Sequence, residues 1–182
     1  RKVEERDLDL SSSDDAGVDV SDFPPKVRQR YQTREAKEQA ARAKSDAKIS
    51  QTDDPTKRAN LIAKEENRRA KVEARLESDQ LKDQAYYVPL KQLKPLAKQI
   101  SLGDVSSLNE VEGRRMLKDV RSEMNKKSKA ETNISKLDAS DKKEKAISSE
   151  EERASKALNG LKAKLANRVQ RSANPRWWHS WL

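Results

Sequence analysis

The most apolar stretch of the chain runs from residue 86 to residue 124 and reads YYVPLKQLKPLAKQISLGDVSSLNEVEGRRMLKDVRSEM. Pro89 and Pro95 open two similar six-residue segments, and proline suits the first turn of a helix. Ser107 and Glu110 have the spacing of a capping box, in which a hydroxyl and a carboxylate satisfy the free amides of a helix start. The stretch therefore predicts a small packed helical unit.

Each half of this unit has an apolar face at helical spacing. The face in the first half consists of Leu90, Leu93, Leu96, Ala97 and Ile100, and the face in the second half of Leu108, Val111, Leu117, Val120 and Met124. Residues 86–88 are expected to be extended, because a proline disfavours helix in the residue before it. Gly113 weakens the second helix by up to about 1 kcal/mol relative to alanine. We place the whole unit at residues 84–129.

The rest of the chain has few apolar residues. Leu, Ile, Val and Phe number 16, 5, 10 and 1 of 182 residues, against 40 basic and 31 acidic residues. A chain of this composition buries too little surface to offset its ordering entropy in a compact domain. We predict a mostly α-helical, extended and non-globular protein, with helices joined by disordered linkers and no large hydrophobic core.

Several function classes are poorly supported by the composition. The chain has four glycines, one histidine and no cysteine. Phosphate-cradling loops need clustered glycines, and most metal or acid–base chemistry needs histidine, cysteine or convergent carboxylates. We therefore expect no enzyme, with no catalytic, cofactor-binding or metal-ligating residue. No apolar run approaches the roughly 18 residues of a membrane span, which argues against an integral membrane protein.

Charge is unevenly distributed along the chain. Residues 1–23 hold three basic and eight acidic residues, whereas residues 24–182 hold 37 basic and 23 acidic ones. A basic body attracts polyanions such as nucleic acid, anionic lipid or an acidic protein face. The alternative is that interleaved charges keep long helices in solution.

The first 25 residues form an acidic tether rich in serine and aspartate. This segment combines Ser, Asp, Gly and Pro without a helical period. Ser11 and Ser12 each precede an aspartate by three positions, a spacing that acid-directed kinases favour, and phosphates there would add negative charge. Both serines are candidate phosphorylation sites; the alternative is an unmodified linker.

Residues 26–83 are predicted to form two charged helices, over 26–49 and 56–83. The first has an alanine stripe that permits close approach of another backbone: Ala36, Ala40, Ala43 and Ala47. The second has oppositely charged side chains three or four residues apart, which pair on a helix surface. Arg68 and Arg69 are candidate RNA-binding residues there; the alternative is a solvated strut.

A basic run ends the packed unit at Lys126, Lys127 and Lys129, which are further candidates for RNA binding. In residues 130–149 the apolar pattern thins, and we expect a linker or a weak helix.

The last segment, residues 150–182, combines a basic amphipathic helix with a tail rich in tryptophan. Ser149 and Glu152 predict a capping box at its start. Its predicted partner-binding residues are Leu158, Leu161, Leu165 and Val169 on the helix, and Arg176, Trp177, Trp178 and Trp181 in the tail. Tryptophan and arginine are enriched at binding hot spots. Three partners remain open: a groove on a large protein, single-stranded RNA, and an anionic membrane interface.

An acidic head, charged helices and short anchoring segments make the chain similar to the extended assembly factors of nuclear ribonucleoprotein machines. This resemblance implies a nuclear, non-enzymatic scaffold of a large RNA–protein complex, of the spliceosome or pre-ribosome type. The scaffold would tether several protein subunits and RNA, because linked weak contacts become effectively intramolecular. It would not form a homo-oligomer on its own. The alternative is a peripheral membrane protein anchored by the C-terminal helix.

Overall fold

The computed structural model describes residues 17–174, and these residues are mostly helical. A short 3-10 helix, Val20–Asp22, precedes five α-helices. They are α1 (Pro25–Ser50), α2 (Pro55–Tyr87), α3 (Pro89–Gln99), α4 (Glu110–Ser135) and α5 (Asp141–Ala173). No strand occurs among the described residues. The mostly α-helical class predicted from the sequence is confirmed.

The chain divides into two compact units, the first ending at Leu81 and the second beginning at Lys82. In unit 1, the buried apolar residues are Phe23, Val27 and Tyr31. The rings of Phe23 and Tyr31 lie 5.9 Å apart, where α1 begins. Proline suits this start because it lacks the amide hydrogen that a first helical turn leaves unpaired.

Helix α2 continues further than predicted. Tyr86 and Tyr87 are its last two residues, so the expectation of an extended segment there is wrong for both. Only Val88 leaves the helical conformation, with φ of −136°. Pro89 sterically restricts the single residue before it, so one residue is enough to end the helix.

Unit 2 has a hydrophobic core between α3, α4 and α5. Ten buried residues form it: Leu93, Ala97, Leu102, Val105, Leu108, Met116, Leu117, Val120, Leu161 and Leu165. Helix α3 is continuous through Pro95, so the two proline-led segments form one helix. The chain therefore concentrates its few apolar residues in one place, which corrects the prediction that it has no large core.

The segment between α3 and α4 closes one side of this core. Gly103 has a φ of 118°, which favours glycine because it lacks a Cβ. Leu102 comes before this turn and Val105 after it, and both side chains are buried in the core. Leu108 is also buried, and α4 begins after Asn109.

Both predicted capping boxes are misplaced. The N-cap of α4 is Asn109, whose Oδ1 accepts a hydrogen bond from the amide of Glu112 at 2.8 Å. Ser107 lies two residues too early. Helix α5 begins after Ser140, so Ser149 lies inside the helix and caps nothing.

Residues 130–149 are not a linker. They comprise the last turns of α4, a short turn, and the first turns of α5. Asp141 and Glu144 lie in the first turn of α5, where negative charge stabilises the positive end of the helix dipole. Between residues 17 and 174 the helices are joined by short segments, and the predicted disordered linkers are not found there.

Two helical glycines provide a matched test of the α3–α4 contact. A Cβ on Gly113 would lie 3.1 Å from Cγ of Pro89, whereas a Cβ on Gly160 would meet nothing within 4 Å. Alanine is favoured over glycine in a helix by up to about 1 kcal/mol. We expect Gly160→Ala to stabilise unit 2 by about that amount, and Gly113→Ala to be clearly less stable than Gly160→Ala. Thermal unfolding of both variants measures the difference; equal stabilisation would contradict the tight contact.

Candidate nucleic-acid interface

Unit 2 has most of the positive charge of the described chain. Residues 82–174 contain 21 basic and 13 acidic residues, against 15 and 12 in residues 17–81. The excess of positive charge in unit 2 is concentrated on one part of its surface. On α4, most basic side chains lie away from Glu112, Asp119 and Glu123.

Two acidic side chains of α4 are paired with α5. Asp119 accepts a 2.7 Å hydrogen bond from Arg168 and lies 3.8 Å from the ammonium group of Lys164. Glu123 lies 3.0 Å from Arg153. These contacts neutralise Asp119 and Glu123 within the unit.

Arg168 is the central residue of this contact. It is 14% exposed at the side chain, donates to Asp119 and to Sδ of Met116, and places Nε 3.7 Å from Oε2 of Glu112. Glu112 is buried, and Oε2 has no hydrogen-bond partner. A buried carboxylate needs nearby opposite charge, and Arg168 offsets the cost of burying Glu112 together with Arg115, which donates to Oε1 at 3.2 Å.

The solvent face of α4 is basic. Arg114, Lys118, Arg121 and Lys129 follow one another at spacings of four, three and eight residues. At about 100° per residue, these spacings place all four within an arc of about 80°. We call them the α4 basic stripe. It contains no acidic residue, and it is about 22 Å long at a rise of 1.5 Å per residue.

An exposed aromatic side chain lies at one end of this stripe. The guanidinium carbon of Arg114 lies 4.4 Å from the ring centroid of Tyr86, at the end of α2. Arg114 donates to the main-chain oxygen of Tyr86 at 3.0 Å and to Glu110 at 2.7 Å. Tyr86 nevertheless remains 54% exposed.

The three predicted lysines divide between two surfaces. Lys129 belongs to the stripe, whereas Lys126 is exposed about 60° around the helix from Lys129. Lys127 instead lines a groove between α4 and α5 together with Glu131 and Glu150. The three lysines are close in the sequence, but successive residues on a helix point in different directions.

Arg68 and Arg69 are engaged within unit 1. Both donate to Glu65, at 2.8 and 2.9 Å, and Arg68 also makes two 3.0 Å bonds to Glu38 across the α1–α2 pair. Arg69 donates to Asp46 at 2.7 Å. These guanidinium groups are paired with neighbouring carboxylates of unit 1, and RNA binding by them stays a prediction.

The apolar face of α5 is covered by its own unit. Leu161 and Leu165 are buried in the core, and Leu158 and Val169 pack against it. The four residues therefore pack within unit 2, and their binding of a partner stays a prediction. The other predicted sites, Ser11, Ser12, Arg176, Trp177, Trp178 and Trp181, lie outside the described residues.

Sequence reasoning missed Tyr86, Arg114, Lys118 and Arg121. The basic residues of the stripe recur at helical spacing, a signal available in the sequence. The pairing of Tyr86 with Arg114 joins residues 28 positions apart and has no such local signal.

Residues 17–174 contain no group of three or more potential metal ligands. No helix among them is long and apolar enough to cross a membrane. Comparisons with protein-family models, with curated proteins and with solved structures find no match.

The ion pairs of unit 1 should make the stability of this unit sensitive to acid. Hydrogen bonds from Arg68 and Arg69 lower the pKa of Glu65 from 4.5, and a hydrogen bond from Arg68 lowers the pKa of Glu38. A carboxyl whose pKa is depressed by folding stabilises the fold above its unfolded pKa, and this contribution is lost as the pH falls through the folded value.

We therefore expect the amides of α1 to lose hydrogen-exchange protection progressively below about pH 4.5, where unfolded glutamate binds its proton. In the Glu65→Gln variant, the amides of α1 should be less protected from exchange at pH 7, and their protection should depend less on pH. Amides of α3, which has no acidic residue, are the internal comparison. Equal protection of α1 at pH 6 and pH 3 would contradict the role of the ion pairs.

Proposed function

We propose that this chain is a non-enzymatic scaffold or assembly subunit of a large intracellular RNA–protein complex, of the spliceosome or pre-ribosome type. The α4 basic stripe is the observation that carries the proposal. Lys118, Arg121 and Lys129 of the stripe are exposed, whereas Asp119 and Glu123 of the same helix are paired with α5. Arg114 is paired with Glu110. An acid-free row of positive charges is suited to an RNA backbone, because its side chains displace condensed counterions from phosphates.

The arginines and lysines of the described residues differ in how often they form ion pairs, and this difference supports the proposed function. Arginine forms most ion pairs in the described residues, through bidentate or networked contacts such as those of Arg68. Lys118, Lys126 and Lys129 are exposed and form no ion pair with another described residue. An unpaired ammonium group is a hydrated point charge that can bind phosphate without first breaking an internal contact.

The extended character predicted from the sequence is part of the proposal. Helices α2 and α5 have 33 residues each, or about 50 Å at 1.5 Å per residue. A long helix has separate positions along its length at which different partners can bind, which suits a subunit that holds several of them.

The RNA proposal is tested with the whole chain and a single-stranded RNA of mixed sequence. We expect affinity to fall steeply with salt, and Lys118/Lys126/Lys129→Ala to make the slope of log affinity against log salt shallower by about 2. Each phosphate contact on a single strand contributes about 0.7 to that slope. Fluorescence anisotropy from 50 to 300 mM salt measures it.

The matched control is Lys37/Lys44/Lys48→Ala on α1. These lysines are also exposed and without an ion pair among the described residues, and the substitution removes the same net charge. We expect this variant to keep the wild-type slope within about 0.5, less than one phosphate contact. Equal effects of the two triple variants would indicate attraction by net charge alone and would refute a site on α4.

In the proposed scaffold, the C-terminal tail anchors a protein partner. A protein groove contacts each of the three rings to a different extent. We therefore expect unequal effects on binding, with at least one substitution costing about 2 kcal/mol, for Trp177→Ala, Trp178→Ala and Trp181→Ala. Affinity capture of stoichiometric partners, followed by titration with the purified partner, measures this. Similar costs for all three, together with strong recruitment to anionic liposomes at physiological salt, would favour membrane binding instead.

A further inference from the structure

We infer that Tyr86 is a stacking platform for one base of a single-stranded RNA, and that Arg114 holds the ring in place for it. This inference rests on the proposed function, because it gives the α4 basic stripe a contact with a base in addition to its contacts with phosphates. Aromatic side chains beside a basic groove bind single-stranded RNA in this way, since every base offers a flat face.

Tyr86 is fixed although it is exposed. Arg114 lies over the ring at 4.4 Å and donates to the main-chain oxygen of the same residue. The neighbouring Tyr87 contacts the ring at right angles, with centroids 4.8 Å apart. More than half of Tyr86 is still open to solvent. A ring that is already ordered loses little conformational freedom when a base stacks on it.

The other aromatic residues described in the structure are less open. Phe23 and Tyr31 are buried in unit 1, and Tyr87 is partly buried. Among residues 17–174, Tyr86 is therefore the exposed aromatic side chain. Its exposure has no structural benefit within the unit, because an aromatic ring in water forgoes the free energy of burial.

Exposed lysines lie on both sides of Tyr86. Lys82 lies one helical turn before it on α2, and Lys118 lies one turn after Arg114 on α4. Both lysines are exposed. Asp83 also lies on α2, three positions before Tyr86, and the carboxylate of Glu110 is bonded to Arg114. Phosphates on either side of a stacked base would meet Lys82 and Lys118.

The position of Tyr86 favours RNA over a protein side chain as its partner. Arg114 is both the residue that covers the ring and the first residue of the α4 basic stripe. A strand whose phosphates follow the stripe toward Lys129 therefore passes the ring at one end. Because the ring and the charges form one continuous surface, one ligand with both flat bases and phosphates fits it.

The test compares RNA with an abasic oligonucleotide of the same length, which keeps the phosphates and lacks the bases. With the whole chain, Tyr86→Ala should weaken binding to RNA by about 5- to 150-fold, the range for loss of one stacking ring. It should leave binding to the abasic strand within twofold. The salt slope for RNA should stay unchanged, because no phosphate contact is lost.

Two further variants separate stacking from apolar contact. Tyr86→Phe keeps the ring and should bind RNA within threefold of the wild type, whereas Tyr86→Leu keeps apolar area without a flat ring and should behave like Tyr86→Ala. Val111→Ala, at an exposed apolar position one turn before Arg114, is the control and should have no effect.

The outcomes distinguish this inference from the proposed function. Salt-sensitive RNA binding that Tyr86→Ala leaves unchanged would overturn the stacking site and leave the basic stripe in place. Equal losses on RNA and on the abasic strand would also overturn it. If Tyr86→Ala instead impaired only the capture of a protein partner, the ring would be a protein contact. Absence of RNA binding by the wild type would overturn both proposals.

Discussion

The ion pair between Asp119 and Arg168 determines how the second unit presents its charge. It joins the middle of α4 to the last turns of α5, in a contact that also includes Glu112 and Met116. Because Glu112 and Asp119 are used in this contact, the arc of α4 that holds the basic stripe has no acidic residue of its own, and Glu110 beside it is paired with Arg114. Internal packing thus creates the external charge pattern, and a helix with a mixed charge composition acquires a face of one sign.

The two units are stabilised by different interactions, although both have few apolar residues. Unit 2 collects them into a core of ten buried side chains, whereas unit 1 buries three near the start of α1. The rest of the α1–α2 pair is bridged by long side chains, with Arg34 bonded to Asp79 and Arg42 to Glu73. Exposed ion pairs contribute little singly, and a network with shared partners contributes more. Salt and acid are therefore expected to weaken the contact between α1 and α2.

The sequence was sufficient to predict the class of fold, the position of the packed unit and the limits of α1 and α2 to within a few residues. These features depend on local periodicity and on proline. It was not sufficient for the N-caps at Asn109 and Ser140, because several residues near each helix start are of types that can cap a helix. The roles of Arg68 and Leu161 depend on partners from other helices, which a local pattern does not contain.

Helix α5 ends beside the beginning of α4. The main-chain amide of Asn109 donates to the hydroxyl of Ser172 at 3.0 Å, one turn beyond Arg168. Tension applied to the chain after Asn174 therefore acts on a hydrogen bond and an ion pair loaded in parallel. It does not pass through the long α4–α5 hairpin, whose turn at residues 136–140 lies at the opposite end of both helices. A partner holding the C-terminal residues thus pulls directly on the helix that carries the basic stripe.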